Sequence, residues 1–147
     1  MRLELTKRAD YAIRAVVALA AAAPDERRSV RRVATEQRIP VRFLPQVMAD
    51  LVAADLVEAV SGRTGGYRLA RPADSISVLE VIEAVEGDSR RRACVLRGGP
   101  CQLNGVCDIH AVFAAAQEDT IRRLGGASIA SLRRGSDTAL AGLARPG

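Results

Sequence analysis

The chain has 147 residues, a common size for one domain with a short arm. Its formal net charge is +5, and the excess lies in residues 1–72, which carry 13 basic and 8 acidic side chains. No stretch approaches the roughly 20 apolar residues of a membrane span, the start lacks the plan of a signal peptide, and three cysteines are an odd number for a disulfide framework. The composition therefore predicts a cytoplasmic protein and excludes membrane, secreted and disordered classes.

Three helices are predicted in the N-terminal third of the chain. The first spans residues 6–23, where Thr6 can cap it and apolar residues recur at three- and four-residue steps. A short helix begins after Ser29 and stops near Ile39, and another follows at residues 42–53. The inward positions of that last helix are Leu44, Val47, Met48 and Leu51. Two short helices joined by a turn of a few residues are typical of a helix-turn-helix.

A β-hairpin is predicted next in the chain. Residues 57–60 and 67–69 have the pattern of strands, and the loop between them contains Gly62, Gly65 and Gly66. Directly after a helix-turn-helix, such a hairpin is a wing. The fold prediction is therefore a mostly α chain with a small β-wing, that is, a winged helix-turn-helix.

The C-terminal half is predicted to contain two further helices. Ser77 and Glu80 form a capping box at the start of one of them. Residues 87–105 show no useful periodicity, and a long helix is predicted at residues 108–124. One stripe of that helix carries Ile109, Val112, Phe113, Ala116 and Thr120. From residue 127 onward the sequence is weakly helical at best.

The second helix of a helix-turn-helix enters the major groove, and its first turn contacts base edges. Here that turn is residues 41–46, named the recognition turn below, in which Arg42 can bind a guanine and Gln46 an adenine. Arg63 at the glycine-rich wing tip can reach a minor groove, and the arginines of residues 27–32 can meet phosphates. The candidate DNA contacts are Arg31, Val41, Arg42, Phe43, Gln46, Arg63, Thr64 and Arg68. A winged helix that binds only protein is the alternative, and the ordered motifs in the basic half favour DNA.

The three cysteines form a candidate metal site. Cys94, Cys101 and Cys107 are separated by six and five residues, and the only histidine of the chain, His110, follows. Thiolates select zinc or iron–sulfur clusters, but this spacing fits neither a zinc ribbon nor a ferredoxin run. Three thiolates can hold one face of a cluster and leave a fourth position, for which His110 is a candidate. Free thiols and an ordinary helix histidine are the alternative, and the spacing leaves both interpretations open.

Four segments carry a family resemblance: LTKRADYAIRA at residues 5–15, FLPQV at 43–47, GRTGGYRL at 62–69, and the three late cysteines. Together they resemble the IscR/NsrR-type winged-helix iron–sulfur transcriptional regulators, over residues 1–132. The resemblance implies a homodimer that binds an operator of inverted repeats, with the helix at residues 108–124 forming much of the dimer contact. It also implies a [2Fe–2S] or [4Fe–4S] cluster on Cys94, Cys101 and Cys107 that reports iron–sulfur status, redox stress or nitric oxide.

The resemblance offers two candidates for the fourth cluster ligand. A histidine three residues after the last cysteine completes the site in the branch that regulates cluster assembly, and His110 matches it. An aspartate from the first helix of the other subunit serves in the nitric-oxide-sensing branch, and Asp10 matches that position. The segment around Asp10 is the better local match and favours it. The six-residue gap after Cys94 is one residue longer than in these branches, and Pro45 stands where relatives often have an acidic residue.

These observations predict a homodimeric transcriptional repressor and not an enzyme, because the sequence shows no convincing nucleophile–base pair or phosphate loop. Its expected partners are a double-stranded DNA operator and a second copy, with no membrane and no small-molecule substrate. We expect a DNA-binding domain at residues 1–74, a cluster-binding loop with dimerisation helices at 75–132, and a disordered tail at 133–147. The alternatives are a cluster-free or zinc-bound thiol switch of the same fold, and an iron–sulfur carrier or scaffold.

Overall fold

The computed structural model describes residues 4–89 and 108–132. In chain order these residues form α1 (Lys7–Ala20), α2 (Val30–Gln37), a 3₁₀ turn (Val41–Phe43), α3 (Leu44–Ala53), β1 (Val57–Val60), β2 (Gly66–Leu69), a second 3₁₀ turn (Ala73–Ser75), α4 (Val78–Glu86) and α5 (His110–Gly126). The predicted mostly α architecture with a small two-stranded sheet is confirmed. No helix in the described part of the chain is long and apolar enough to cross a membrane.

The predicted caps begin three of the helices. The hydroxyl of Thr6 accepts a hydrogen bond from the backbone N–H of Ala9, and the hydroxyl of Ser29 accepts one from Arg32. At α4, Ser77 and Glu80 exchange hydrogen bonds as a complete capping box. Each cap satisfies amides that have no partner inside their own helix, which is why these helices begin where the sequence predicts.

Several helix boundaries differ from the sequence prediction, most clearly those of α1 and α5. Helix α1 ends at Ala20 rather than Ala23: the N–H of Ala22 donates to the Leu19 carbonyl three residues back, not four, and Pro24 disfavours helical geometry at Ala23. Helix α5 begins at His110 and runs through Gly125 and Gly126, which were expected to stop it. A Cβ at Gly125 would lie 3.5 Å from a side-chain carbon of Leu79, so packing against α4 accompanies the extra turn.

The wing is joined to the segment that precedes α2. Strands β1 and β2 pair antiparallel, from Val57 opposite Leu69 to Val60 opposite Gly66. Arg28 adds a bridge to β2, since its N–H donates to the carbonyl of Tyr67 and its carbonyl accepts from the Tyr67 N–H. A Cβ at Gly66 would lie 2.9 Å from the Arg28 carbonyl oxygen, and the φ of Gly66 is +151°. Only glycine fits this close approach without strain.

One hydrophobic cluster unites the first four helices. Its largest fully buried side chains are Leu44, Met48, Leu51, Leu56, Ile76, Ile129, Val16, Val33, Val57 and Val81. Ile129 belongs to the segment expected to be weakly helical: its N–H donates to the Ile76 carbonyl, and the Ala127 carbonyl accepts from Val78. Residues 129–132 are helical. This segment is therefore anchored to the start of α4, and the division into two domains stays a prediction.

Candidate nucleic-acid interface

One side of the recognition turn is exposed, and its other side packs into the core through buried apolar residues. Leu44, Val47 and Met48 are buried, whereas Val41 and Phe43 keep 50% and 43% of their surface exposed. Arg42 and Gln46 are also exposed. Pro45 lies in the first turn of α3, where its missing N–H breaks no intrahelical bond. The buried side fixes the turn to the core, and its polar side chains are left to face a ligand.

The Arg42 side chain contacts an aromatic ring, which in turn contacts a second ring on α1. Its guanidinium lies 4.8 Å from the centre of the Phe43 ring, and the Phe43 ring lies 5.8 Å from that of Tyr11 on α1. A guanidinium over an aromatic face is attracted by the ring quadrupole. The recognition turn and α1 line a cavity of about 330 Å³ formed by Lys7, Arg8, Tyr11, Arg42, Phe43, Gln46 and Val47.

Gln46 is held by Asp50, which is in turn held by Arg8, and the sequence analysis missed both residues. Its Nε2 donates to Oδ1 of Asp50 at 3.1 Å, and the other oxygen of Asp50 forms an ion pair with Arg8 on α1. The four-residue spacing of Gln46 and Asp50 on one helix is a signal that could have revealed their contact. Arg8 lies 42 residues from Asp50, and the sequence offers no sign of that pair.

Within the described part of the chain, some arginines of the basic run before and within α2 form ion pairs, and others do not. Arg28 and Arg32 both pair with Glu36, at 2.6 Å and 2.8 Å, and both also lie near Glu26. Arg31 is exposed and makes no ion pair with any residue that the structure describes. Of these two neighbouring arginines, Arg31 and Arg32, it is therefore Arg31 whose charge stays available for a phosphate.

Glu26 is stabilised as a carboxylate within this ion-pair group. The backbone N–H of Ala23 donates to the Glu26 carboxylate at 3.1 Å and is the largest cause that lowers its pKa. Coulombic attraction to Arg32 and then Arg28 lowers the pKa further. A persistently ionised Glu26 keeps these two arginines occupied at neutral pH.

The wing presents one unpaired arginine at its tip. Arg63 and Thr64 are exposed in the turn between β1 and β2, and Arg63 has no ion-pair partner in residues 4–89 and 108–132. Arg68 instead pairs with Glu58, which stands opposite it in the sheet, at 2.8 Å. Arg63 is therefore expected to attract a nearby phosphate more strongly than Arg68, whose charge is already paired.

Of the five candidate cluster ligands, Asp10 and His110 lie within the described residues. Cys94, Cys101 and Cys107 lie outside the described residues. Among residues 4–89 and 108–132, no three histidine, cysteine or carboxylate side chains come close enough to hold a metal ion. Asp10 lies in the first turn of α1, and His110 is the half-buried first residue of α5.

Asp10 is connected to the end of α2 through Arg14. The carboxylate of Asp10 accepts a hydrogen bond from Arg14 at 2.7 Å, and the same guanidinium donates to the backbone carbonyl of Gln37 at 2.6 Å. Arg14 also lies over the ring of Tyr11, at 5.3 Å. A candidate ligand on α1 therefore shares one arginine with the turn that leads to the DNA-facing residues.

Comparison with known proteins identifies the family. The family model for Rrf2, described as an iron-dependent transcriptional regulator, matches residues 5–135. The helix-turn-helix regulator IscR of Cereibacter sphaeroides is 45% identical over 86 residues, covering 57% of this chain and 56% of that protein, so the chain spans about half of that relative. The regulator NsrR of Halalkalibacterium halodurans is 32% identical over 123 residues, covering 83% of this chain and 84% of that protein.

A solved structure shows the same fold. IscR of T. potens superposes with a TM-score of 0.74 at 23% identity, covering 93% of this chain and 90% of that chain. These relatives are transcriptional regulators and not enzymes, in agreement with the expectation from the sequence. Since the family model spans nearly the whole chain, the protein belongs to the Rrf2 family of winged-helix transcriptional regulators.

Proposed function

We propose that this protein is a cytoplasmic homodimeric repressor that binds an inverted-repeat DNA operator, and that an iron–sulfur cluster controls this binding. The observation that carries the proposal is the exposed recognition turn, whose polar side chains Arg42 and Gln46 stand on a buried apolar base. Relatives named IscR and NsrR support the assignment to cluster-dependent regulation.

In the proposed complex, the recognition turn lies in the major groove of each half-site. Arg42 donates to a guanine edge and Gln46 contacts an adenine. Val41 and Phe43 offer apolar contact, with Phe43 also supporting Arg42. Arg31, Arg63 and Thr64 contact phosphates or a minor groove, and Arg68 contributes while still paired with Glu58.

The donor set of this chain fits an iron–sulfur cluster. Cys94, Cys101 and Cys107 supply three thiolates, the main protein ligands of such clusters. We propose Asp10 of the second subunit as the fourth ligand, because its carboxylate is half-exposed and Arg14 is its one ion-pair partner among the residues that the structure describes. His110 is the second candidate. When bound, the cluster supplies a group sensitive to nitric oxide, redox stress or iron–sulfur status.

Arg14 provides a physical route from this site to the DNA-facing residues. If Asp10 turns away from Arg14 towards a second subunit, the contacts that the guanidinium keeps within the described residues are its bond to the Gln37 carbonyl and its contact with Tyr11. Gln37 ends α2, and the recognition turn follows a few residues later. Two arrangements of Arg14 would therefore bias the position of the recognition turn between two states.

The apolar surface of α5 supports dimerisation. Ile109 and Val112 keep 40% and 68% of their surface exposed in the single chain, and Ile121 is the buried residue of this helix. Apolar side chains repeated along one exposed face mark an association site. A symmetric dimer would cover this face with its own copy.

The proposed function is tested with anaerobically purified protein. Its visible spectrum and native mass are recorded, and its affinity for operator duplexes is measured across a salt series before and after cluster removal. We expect a coloured dimer whose mass exceeds the apo dimer by two clusters, with salt-dependent duplex binding that changes on removal. A colourless dimer after anaerobic reconstitution would contradict the cluster, and duplex affinity without salt dependence would contradict DNA binding.

Two alanine variants distinguish the candidates for the fourth ligand. Asp10→Ala is expected to alter the visible spectrum and the response of duplex binding to nitric oxide, whereas His110→Ala leaves both unchanged. The opposite pattern assigns the position to His110. Thermal unfolding of both apo variants controls for loss of the Asp10–Arg14 ion pair.

A further inference from the structure

Three polar side chains connect α1 to α3 beside the recognition turn. Nε2 of Gln46 donates to Oδ1 of Asp50, and Oδ2 of Asp50 forms an ion pair with Arg8. The Asp50 side chain retains 21% of its surface exposed, against 48% for Arg8. The carboxylate of Asp50 is thus held on both oxygens, one by α1 and one by the side chain expected to contact a base.

This arrangement sets the orientation of the Gln46 amide. An ionised carboxylate only accepts hydrogen bonds, so it can face the NH₂ group of a glutamine but not its oxygen. The reverse orientation would place Oε1 of Gln46 against the negatively charged Asp50. Within residues 4–89 and 108–132, no group donates to Oε1 of Gln46. Gln46 therefore presents a free acceptor oxygen and one remaining N–H.

We propose that Asp50 is a specificity-determining residue that makes Gln46 accept adenine and refuse guanine. This inference rests on the proposed DNA binding. Adenine presents a donor at N6 and an acceptor at N7, which match Oε1 and the free N–H of Gln46. Guanine presents an acceptor at O6, which would face Oε1 without a proton between the two oxygens. Discrimination thus comes from a repulsive contact as well as an attractive one.

The substitution Asp50→Asn tests this role. An asparagine can donate to Oε1 or accept from Nε2, so the Gln46 amide becomes free to turn. The preference for adenine over guanine at the base pair contacted by Gln46 is expected to fall from about tenfold to about twofold. Selection from randomised duplexes yields the preferred sequence, and the Gln46→Ala variant identifies the base pair. Competition between duplexes that differ only there gives the ratio.

Asp55→Asn is the matched control. Asp55 follows α3, is exposed, and has a positive φ of 58° that asparagine also adopts. Both substitutions remove one negative charge and are expected to raise the affinity for all duplexes to a similar extent. Only Asp50→Asn is expected to change the ratio of adenine to guanine.

Asp50→Ala provides a second variant, which removes the carboxylate and offers the Gln46 amide no other partner at that position. The amide can then present either its oxygen or its NH₂ group to the base, so the preference for adenine should fall as in Asp50→Asn. This measurement tests the proposal even if Asp50→Asn fails to fold, which thermal unfolding reports. A wild-type adenine preference in folded Asp50→Ala would contradict it.

The outcomes separate this inference from the proposed function. Wild-type protein without salt-dependent duplex binding would overturn the function itself. Specific binding by the wild type together with an unchanged adenine preference in Asp50→Asn would overturn the role of Asp50 alone. The role of Asp50 would also be overturned if Gln46→Ala changed the base preference at no position of the operator.

Discussion

At the residue scale, the surroundings of an arginine decide what it can do. Arg32 is exposed on α2 but pairs with Glu26 and Glu36, while its neighbour Arg31 has no ion pair among the described residues. Arg42 lies over an aromatic ring, and Arg63 at the wing tip has no ion-pair partner in the part of the chain that the structure describes. Equal formal charges therefore contribute unequally to a DNA interface.

Alanine substitutions of Arg42 and Arg63 are expected to change DNA binding in different ways. Arg42→Ala removes a contact to a base edge, so operator binding should weaken by about 1–3 kcal/mol with a changed base preference. Arg63→Ala removes a phosphate contact, so the slope of log K against log salt should decrease by about 0.9 with little change in preference. Fluorescence anisotropy with operator and scrambled duplexes measures both. Unchanged affinity in both variants would overturn the assignment of this surface.

At the element scale, caps and close contacts decide where helices and strands lie. The helix starts and the hairpin follow from local signals that need only a few neighbouring residues, such as Ser77 with Glu80. The bridge from Arg28 to β2 joins residues far apart in sequence, and no local pattern predicts it. The element positions were therefore more predictable than their attachments.

The capping box is expected to make stability depend on pH. The backbone N–H of Ser77 is the largest cause that lowers the pKa of Glu80, and Arg71 adds to it through a hydrogen bond. Because the folded-state pKa is depressed, this contribution is present above the unfolded value of about 4.3 and is lost as pH falls through the folded value.

Glu80→Gln should therefore lower the free energy of unfolding by about 0.5–1 kcal/mol at pH 7. The difference from wild type should disappear near pH 3, as measured by urea unfolding at both pH values. Asp74→Asn serves as the control, because Asp74 is exposed and has no ion pair within the described part of the chain. A Glu80→Gln difference that persists near pH 3 would contradict the sign of the argument.

Two wing glycines offer a matched pair for testing the attachment of the wing. Gly62 and Gly66 both have positive φ, of +110° and +151°, but a Cβ meets open space at Gly62 and the Arg28 backbone at Gly66. Gly62→Ala should cost about 1–2 kcal/mol of conformational strain. Gly66→Ala should cost about 3 kcal/mol, since the bridge must also move. Urea unfolding compares them, and equal losses would count against a tight contact at Arg28.

At the scale of the whole molecule, two of the large apolar side chains that the described residues leave exposed lie at the start of α5. The stripe predicted from the sequence contains Ile109 and Val112, which the single chain leaves exposed. Helix α5 packs on α4 at Gly125, whose Cβ position lies beside Leu79, and Ile121 is its buried residue. The described residues leave the side of α5 that carries Val112 uncovered.

Val112→Glu should weaken the proposed dimer. Burying a carboxylate in an apolar contact costs about 2 kcal/mol or more, which raises the dimer Kd roughly 30-fold. Ala111→Glu is the control, because it adds the same charge to the next residue, about 100° around the helix. Sedimentation equilibrium of both variants measures the association. A Val112→Glu protein as dimeric as the control would exclude this face from the interface.

The amino-acid sequence by itself determined the winged-helix plan, through caps, apolar periodicity and the glycine-rich hairpin. It also marked Arg42 and Gln46 as exposed positions of a recognition turn. These features depend on residues close together in sequence, within a helical turn for the caps and between Val57 and Leu69 for the hairpin, and local patterns record them.

Only the tertiary structure decided which charges are free and how the exposed groups are held. The pair of Arg8 and Asp50, which orients Gln46, and the bridge of Arg28 to the wing both join distant parts of the chain. The anchoring of Ile129 beside Ile76 is of the same kind. Such contacts form because the packed core brings these segments together, and no periodicity in the sequence specifies which segments meet.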